Sequence, residues 1–135
     1  MKTVTTYLSF DGNCRDAMSF YQQCLGVELQ LNAYPDANGQ PSSAPGARIM
    51  HGQLARGSAP VLMASDTPQP GSLRPGNNFS VSIDCDSRDE IELLFTALSQ
   101  NGQVRMPLTD APWGARFGML TDQFGIQWML NCNLT

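Results

Sequence analysis

The chain states one short pattern twice, 73 residues apart. Leu8-Ser9-Phe10-Asp11-Gly12-Asn13-Cys14-Arg15-Asp16-Ala17-Met18 is answered by Val81-Ser82-Ile83-Asp84-Cys85-Asp86-Ser87-Arg88-Asp89-Glu90-Ile91. Ser, Asp, Arg and Asp recur in place, and Leu/Val, Phe/Ile, Asn/Asp and Met/Ile are near-equivalents. Each copy reads as a strand, a polar turn with a capping residue, and the start of an amphipathic helix. A repeated supersecondary unit constrains the fold more than any single residue does. Two copies are too few for a solenoid. They predict two half-domains sharing a cleft, and function is expected in that cleft.

The 135 residues suffice for one domain with a real core. The net charge of −4, with eight basic residues in no cluster, argues against nucleic acid and anionic membrane as partners. No apolar run approaches the roughly 18–20 residues that span a bilayer. The opening Met1-Lys2-Thr3-Val4-Thr5-Thr6 runs into a strand pattern without the apolar region of a signal peptide, so the expected address is the cytoplasm. The cysteines, at 14, 24, 85 and 132, have no CxxC spacing. One histidine among scattered thiols does not suggest structural zinc. Reduced, structural cysteines are expected.

The element order follows from periodicity and punctuation. Val4–Phe10 alternates as a strand. Asn13 is placed as the N-cap of a helix with Met18, Tyr21 and Leu25 on its apolar face, ended by Gly26. Strands follow at Val27–Ala33, Ala47–Ala55 and Val61–Ser65, with a Pro/Gly-rich loop over Pro35–Gly46 and a turn at Gly57-Ser58. The second half begins with a strand at Phe79–Asp84. Asp86 or Ser87 then caps a helix with Ile91, Leu94, Phe95 and Leu98 on one face. Gln103–Met106 starts a strand, and Arg116–Leu120 and Ile126–Cys132 make a hairpin that completes this half. Each half therefore reads βαβββ. The predicted class is α+β: two pseudo-symmetric modules, 1–66 and 77–135, joined by a connector over 67–76 in one domain of 1–135. They form a cupped mixed sheet with helices on its outer face.

Several motifs point to a family. Tyr7-Leu8-Ser9-Phe10-Asp11-Gly12-Asn13, Phe20-Tyr21, Met50-His51-Gly52 and Leu62-Met63-Ala64-Ser65-Asp66 belong to this set. The most specific is Trp113-Gly114-Ala115-Arg116-Phe117-Gly118-Met119-Leu120-Thr121-Asp122-Gln123-Phe124-Gly125. Together the chain resembles, nearly end to end, the PhnB-like branch of the glyoxalase/bleomycin-resistance/dioxygenase (vicinal oxygen chelate) superfamily. The resemblance implies paired βαβββ modules and a homodimer. Metal-dependent members hold a divalent ion with four side chains, two on the first strands and two on the last strands of the modules. Those positions map near Thr5, Asn78, Met63 and Met129. Hard divalent ions prefer carboxylate oxygen or imidazole, and thioethers suit soft copper(I). A one-residue shift restores no site. No metal and no cofactor is expected.

Candidate ligand contacts are Tyr7, Met63, Trp113 and Met129 as apolar walls and Asn78, Ser80 and Gln127 as hydrogen-bonding groups. Arg116 offers a planar fork to an anion, or a structural pair with Asp110 or Asp122. His51, the only histidine, is a polar contact or a general base according to the face of its strand that it occupies. Asp11, Asp16, Asp84 and Asp89 are assigned to turns and first helical turns, and no catalytic residue is assigned. No nucleophile elbow, phosphate loop or dinucleotide fingerprint is present. The expected function is metal-free binding of a small molecule in an apolar cleft. The alternative is an enzyme of the superfamily, of lyase, dioxygenase or transferase type, with or without a divalent metal.

Overall fold

The computed structural model describes residues 1–134, in two compact units divided between Pro75 and Gly76. In the first unit the order is β1 (Tyr7–Phe10), α1 (Cys14–Leu25), β2 (Glu28–Ala33), β3 (Ile49–Arg56) and β4 (Ala59–Asp66). The strands form one sheet in the order β1-β4-β3-β2, with β1 parallel to β4 and the other pairs antiparallel. Leu8, Phe10, Leu54, Leu62 and Ala64 are buried on the side that α1 covers with Cys14, Ala17, Met18 and Tyr21. Gly26 stops the helix at φ 66°, a left-handed conformation that a residue with a Cβ adopts at a cost.

The second unit repeats this plan with β5 (Val81–Cys85), α2 (Arg88–Leu98), β6 (Gln103–Ala111), β7 (Ala115–Thr121) and β8 (Gln127–Asn133). Its sheet runs β5-β8-β7-β6, with β5 parallel to β8. Trp128, Leu130, Cys132 and Leu120 are buried toward α2, which contributes Ile91, Phe95 and Leu98. The two βαβββ modules expected from the repeat are thus present, each an α+β unit with a four-stranded mixed sheet. No helix of the described residues is long and apolar enough to cross a membrane.

Four details depart from the sequence reading. First, β1 begins at Tyr7 rather than Val4, and β5 at Val81 rather than Phe79. Second, β6 continues past Met106 through Pro107 to Ala111. Proline is tolerated there because β6 is an edge strand, and its ladder shifts register on both sides of Met106. Third, Leu25 and Leu94 are only half-buried. The buried residues are Cys14, Ala17, Met18 and Tyr21 in α1 and Ile91, Phe95 and Leu98 in α2, so that Cys14, Met18 and Tyr21 match Ile91, Phe95 and Leu98 at 77 rather than 73 positions apart. The difference is about one helical turn. Phe95 takes its place because Gly118 leaves room: a Cβ there would lie 2.8 Å from the Phe95 ring. Fourth, the connector is fastened to the first unit. The Arg48 guanidinium donates to the Thr67 carbonyl (2.7 Å) and the Asp11 carboxylate accepts from the Gly71 N–H (3.0 Å).

Candidate functional site

The faces of the two sheets that carry no helix hold most of the candidate side chains. Directly opposed residues on neighbouring strands share a face. In the first unit, Tyr7 on β1 is opposite Met63 on β4, and Met63 is opposite Gln53 on β3. Their neighbours Leu8, Leu54, Leu62 and Ala64 are buried under α1, so this row points away from the helix. His51, two positions from Gln53, lies on the same face. Its Nδ1 is 3.1 Å from the Tyr7 hydroxyl, which donates when that nitrogen carries no proton. The two rings are 5.7 Å apart between centroids. His51 is therefore on the helix-free face, with Tyr7 and Met63 beside it.

In the second unit the corresponding face carries a row of thioethers. Met106, Met119 and Met129 are cross-strand partners along β6, β7 and β8, with Ser82 of β5 next to Met129. Gln127 lies on this face one step along β8. Its amide N–H donates to the Phe79 carbonyl at 2.8 Å, and its side-chain oxygen accepts from the Arg105 guanidinium. Asn78 and Ser80 precede β5, the first exposed and the second half-buried.

Two candidates lie elsewhere. Arg116 alternates with the Met119 face and turns toward α2. There it donates to Glu92 (2.6 Å) and to Asp110 (2.9 Å), which also receives Arg88 at 2.9 Å. Its fork is occupied by these carboxylates, as the pairing with Asp110 considered from sequence would have it, and it does not face the thioether row. Trp113 is 72% exposed in the turn between β6 and β7.

The specific-looking motifs have structural explanations that the sequence reading missed. Asp66, only 1% exposed, accepts from the backbone N–H groups of Gly12 (2.7 Å), Cys14 (3.0 Å) and Ile49 (2.8 Å). It holds the start of α1, and Asn13 makes no side-chain capping bond. Asp122 accepts from the backbone of Phe124 and Ile126 and from the Trp128 indole at 2.7 Å, which fixes the β7–β8 turn. Asp11 pairs with Arg48 at 2.9 Å, a longer-range role than the turn assigned to it. Ser87, not Asp86, caps α2 by accepting from the Glu90 N–H. Burial pushes the Cys14 thiol up to about 12 and Cys85 to about 11, so neither is a ready nucleophile.

The metal expected of many proteins with this fold does not suit these residues. The mapped positions carry Thr5, Met63, Asn78 and Met129, which are neutral oxygen or thioether donors. Among the described residues, no group of three or more His, Cys, Asp or Glu is arranged to hold an ion.

Comparison with known proteins bears on these observations. Residues 3–130 match the family described as Glyoxalase/Bleomycin resistance protein/Dioxygenase superfamily. The chain is 31% identical to Protein YjdN of Escherichia coli (strain K12), covering 95% of this chain and 93% of YjdN. Protein PA1353 from Pseudomonas aeruginosa superposes with a TM-score of 0.81 at 43% identity, covering 98% of both chains. A protein from Bacillus cereus, described as a putative 3-demethylubiquinone-9 3-methyltransferase, PhnB protein, superposes at 0.77 with 26% identity, covering 97% of this chain and 99% of that one.

Proposed function

We propose that this chain, which belongs to the glyoxalase/bleomycin resistance protein/dioxygenase superfamily and to its PhnB-like branch, binds a small aromatic or amphipathic molecule without using a divalent metal. The observation that carries this reading is the side-chain set of the helix-free sheet faces. In the first unit Met63 supplies adaptable apolar surface beside the polar groups of Tyr7 and His51, and in the second unit Met106, Met119 and Met129 supply such surface beside Gln127. Two of the four mapped metal positions, Met63 and Met129, belong to that apolar set. The thiols of Cys14, Cys85 and Cys132 are joined by no disulfide, which suits a reducing compartment, and we place the protein in the cytoplasm.

The test is fluorescence titration of the full chain with neutral phenylnaphthylamine. Saturable binding is expected. The double variant Met63→Glu/Met129→Glu should abolish it by putting unpaired carboxylates on apolar surface, with circular dichroism confirming the fold. His51→Ala should weaken it about fivefold, the worth of one hydrogen bond of about 1 kcal/mol. Absence of saturable binding to the wild type overturns the reading.

The Tyr7–His51 pair favours a second reading, an enzyme in which His51 moves a proton. The description of the Bacillus cereus relative names methyl transfer to a ubiquinone precursor. This sequence has no glycine-rich loop for a nucleotide-like methyl donor. A substrate whose turnover, but not binding, is lost in His51→Ala would establish this second reading.

A further inference from the structure

Arg105 sets the helix-free face of the second sheet apart from an ordinary apolar surface. It sits where the β6 ladder shifts register between Val104 and Met106. Its guanidinium reaches the Gln127 side chain on β8. Strand β7 lies between β6 and β8, so this span is about two strand spacings, or roughly 10 Å. The Arg105 side chain therefore crosses over β7 on the Met119 side of the sheet, beside the Met106-Met119-Met129 row.

Among the described residues the charge of Arg105 has no carboxylate partner, in contrast to the other arginines bound across strands. Arg48 pairs with Asp11, Arg88 with Asp110, and Arg116 with both Glu92 and Asp110. Among the described residues Arg105 takes part in no such pair, and its partner is a neutral amide oxygen. Gln127 is itself oriented by its bond to the Phe79 carbonyl, which turns the amide oxygen toward the guanidinium. That one bond leaves four of the five guanidinium N–H donors for an anion. The acid on this face, Asp84, lies on β5 at the opposite edge of the sheet from β6.

We infer that the second sheet selects an organic anion: a ligand whose aromatic or apolar body lies on the methionine row and whose acidic group is taken by Arg105. This rests on the binding function proposed above and adds the charge and orientation of the ligand. The acidic group lies at the β6 end, because Asp84 repels it from the β5 end and Arg105 offers a fork of donors at the other.

Two fluorescent probes that differ chiefly in charge test this: anilinonaphthalene sulfonate, an anion, and phenylnaphthylamine, its neutral counterpart. In the full chain, Arg105→Gln should lower affinity for the sulfonate about tenfold and leave that for the neutral probe unchanged. Arg105→Lys, which keeps the charge, should recover most of the sulfonate affinity. Met119→Glu should weaken both probes. If Arg105→Gln leaves sulfonate binding unchanged, or lowers both probes equally, the inference is overturned while the binding function stands. If lysine restores nothing, the loss reports packing rather than charge, which also overturns it. If neither probe binds the wild type, it is the binding function itself that fails.

Discussion

Asp66 shows how one residue can look like chemistry in a sequence and prove to be architecture. It closes the motif Leu62-Met63-Ala64-Ser65-Asp66, sits 1% exposed, and takes three backbone N–H groups, from Gly12 in the turn before α1, Cys14 at its start and Ile49 at the start of β3. Its own carbonyl accepts from the Tyr34 hydroxyl at 3.0 Å. A carboxylate so placed completes donors that nothing else nearby would satisfy. Asp66→Ala should leave those N–H groups buried without an acceptor and cost about 3–4 kcal/mol. Urea denaturation measures this, and a loss under about 1 kcal/mol would mean that water reaches the site. Local pattern pointed instead to Asn13, which has the right residue type and position for a cap. Asp66 acts across 52 positions of sequence, and no local rule sees that distance. The faces of strands were more legible. The alternation read over Val4–Phe10 appears in β1 as buried Leu8 and Phe10 against exposed Tyr7 and Ser9, because the side-chain period of two is a property of the backbone itself. The face of His51 was not legible, since β2 pairs with β3 through a register shift between Asn32 and Ala33 that only the folded sheet reveals.

The ion network of α2, β6 and β7 is the clearest element-scale device. Asp110 on β6 receives Arg88 from α2 and Arg116 from β7, and Arg116 also holds Glu92 on α2. Hydrogen bonds from Arg88 and then Arg116 hold the Asp110 carboxyl below its usual range. A carboxyl with a depressed pKa in the folded state adds stability above the unfolded value near 4, and that stability is lost as pH falls through the lower folded value. Thermal unfolding of the wild type should therefore decline from about pH 4 downward. In Asp110→Asn this part of the decline should be missing, while the melting temperature at neutral pH falls by a few degrees at most, because the pairs are solvent-exposed. Identical pH profiles for the two proteins would dismiss the network as a stabilising element. The same region explains why the repeat predicted element order better than helix register. The strand halves keep their parity over 73 positions, but α2 places Phe95 against Gly118 and α1 places Met18 and Tyr21 on its sheet. The two buried faces thus match one turn further apart.

At the scale of the whole chain, the surface retains more large apolar side chains than two covered sheets require. Val4 is 88% exposed, Trp113 72%, Leu93 70% and Phe79 67%. Single exposed apolar residues are ordinary, but a 14.7 kDa chain with this many is a candidate for self-association. Met50 and Val104, at 46% and 45% exposed, extend the set. We therefore propose the homodimer that the family resemblance implies. Closed twofold pairs are the commonest assemblies of soluble chains, and a self-complementary patch needs few surfaces to form one. Sedimentation velocity at about 50 μM should show a species of twice 14.7 kDa, since an interface of standard size, about 1,600 Å², holds well below that concentration. Trp113→Ser and Phe79→Ser, tested separately, should leave the fold intact by circular dichroism, and the one that lies in the interface should shift the species toward 14.7 kDa. A wild-type chain that sediments as a monomer across this range would overturn the dimer, and the exposed apolar residues would then be sites for ligand or for another partner.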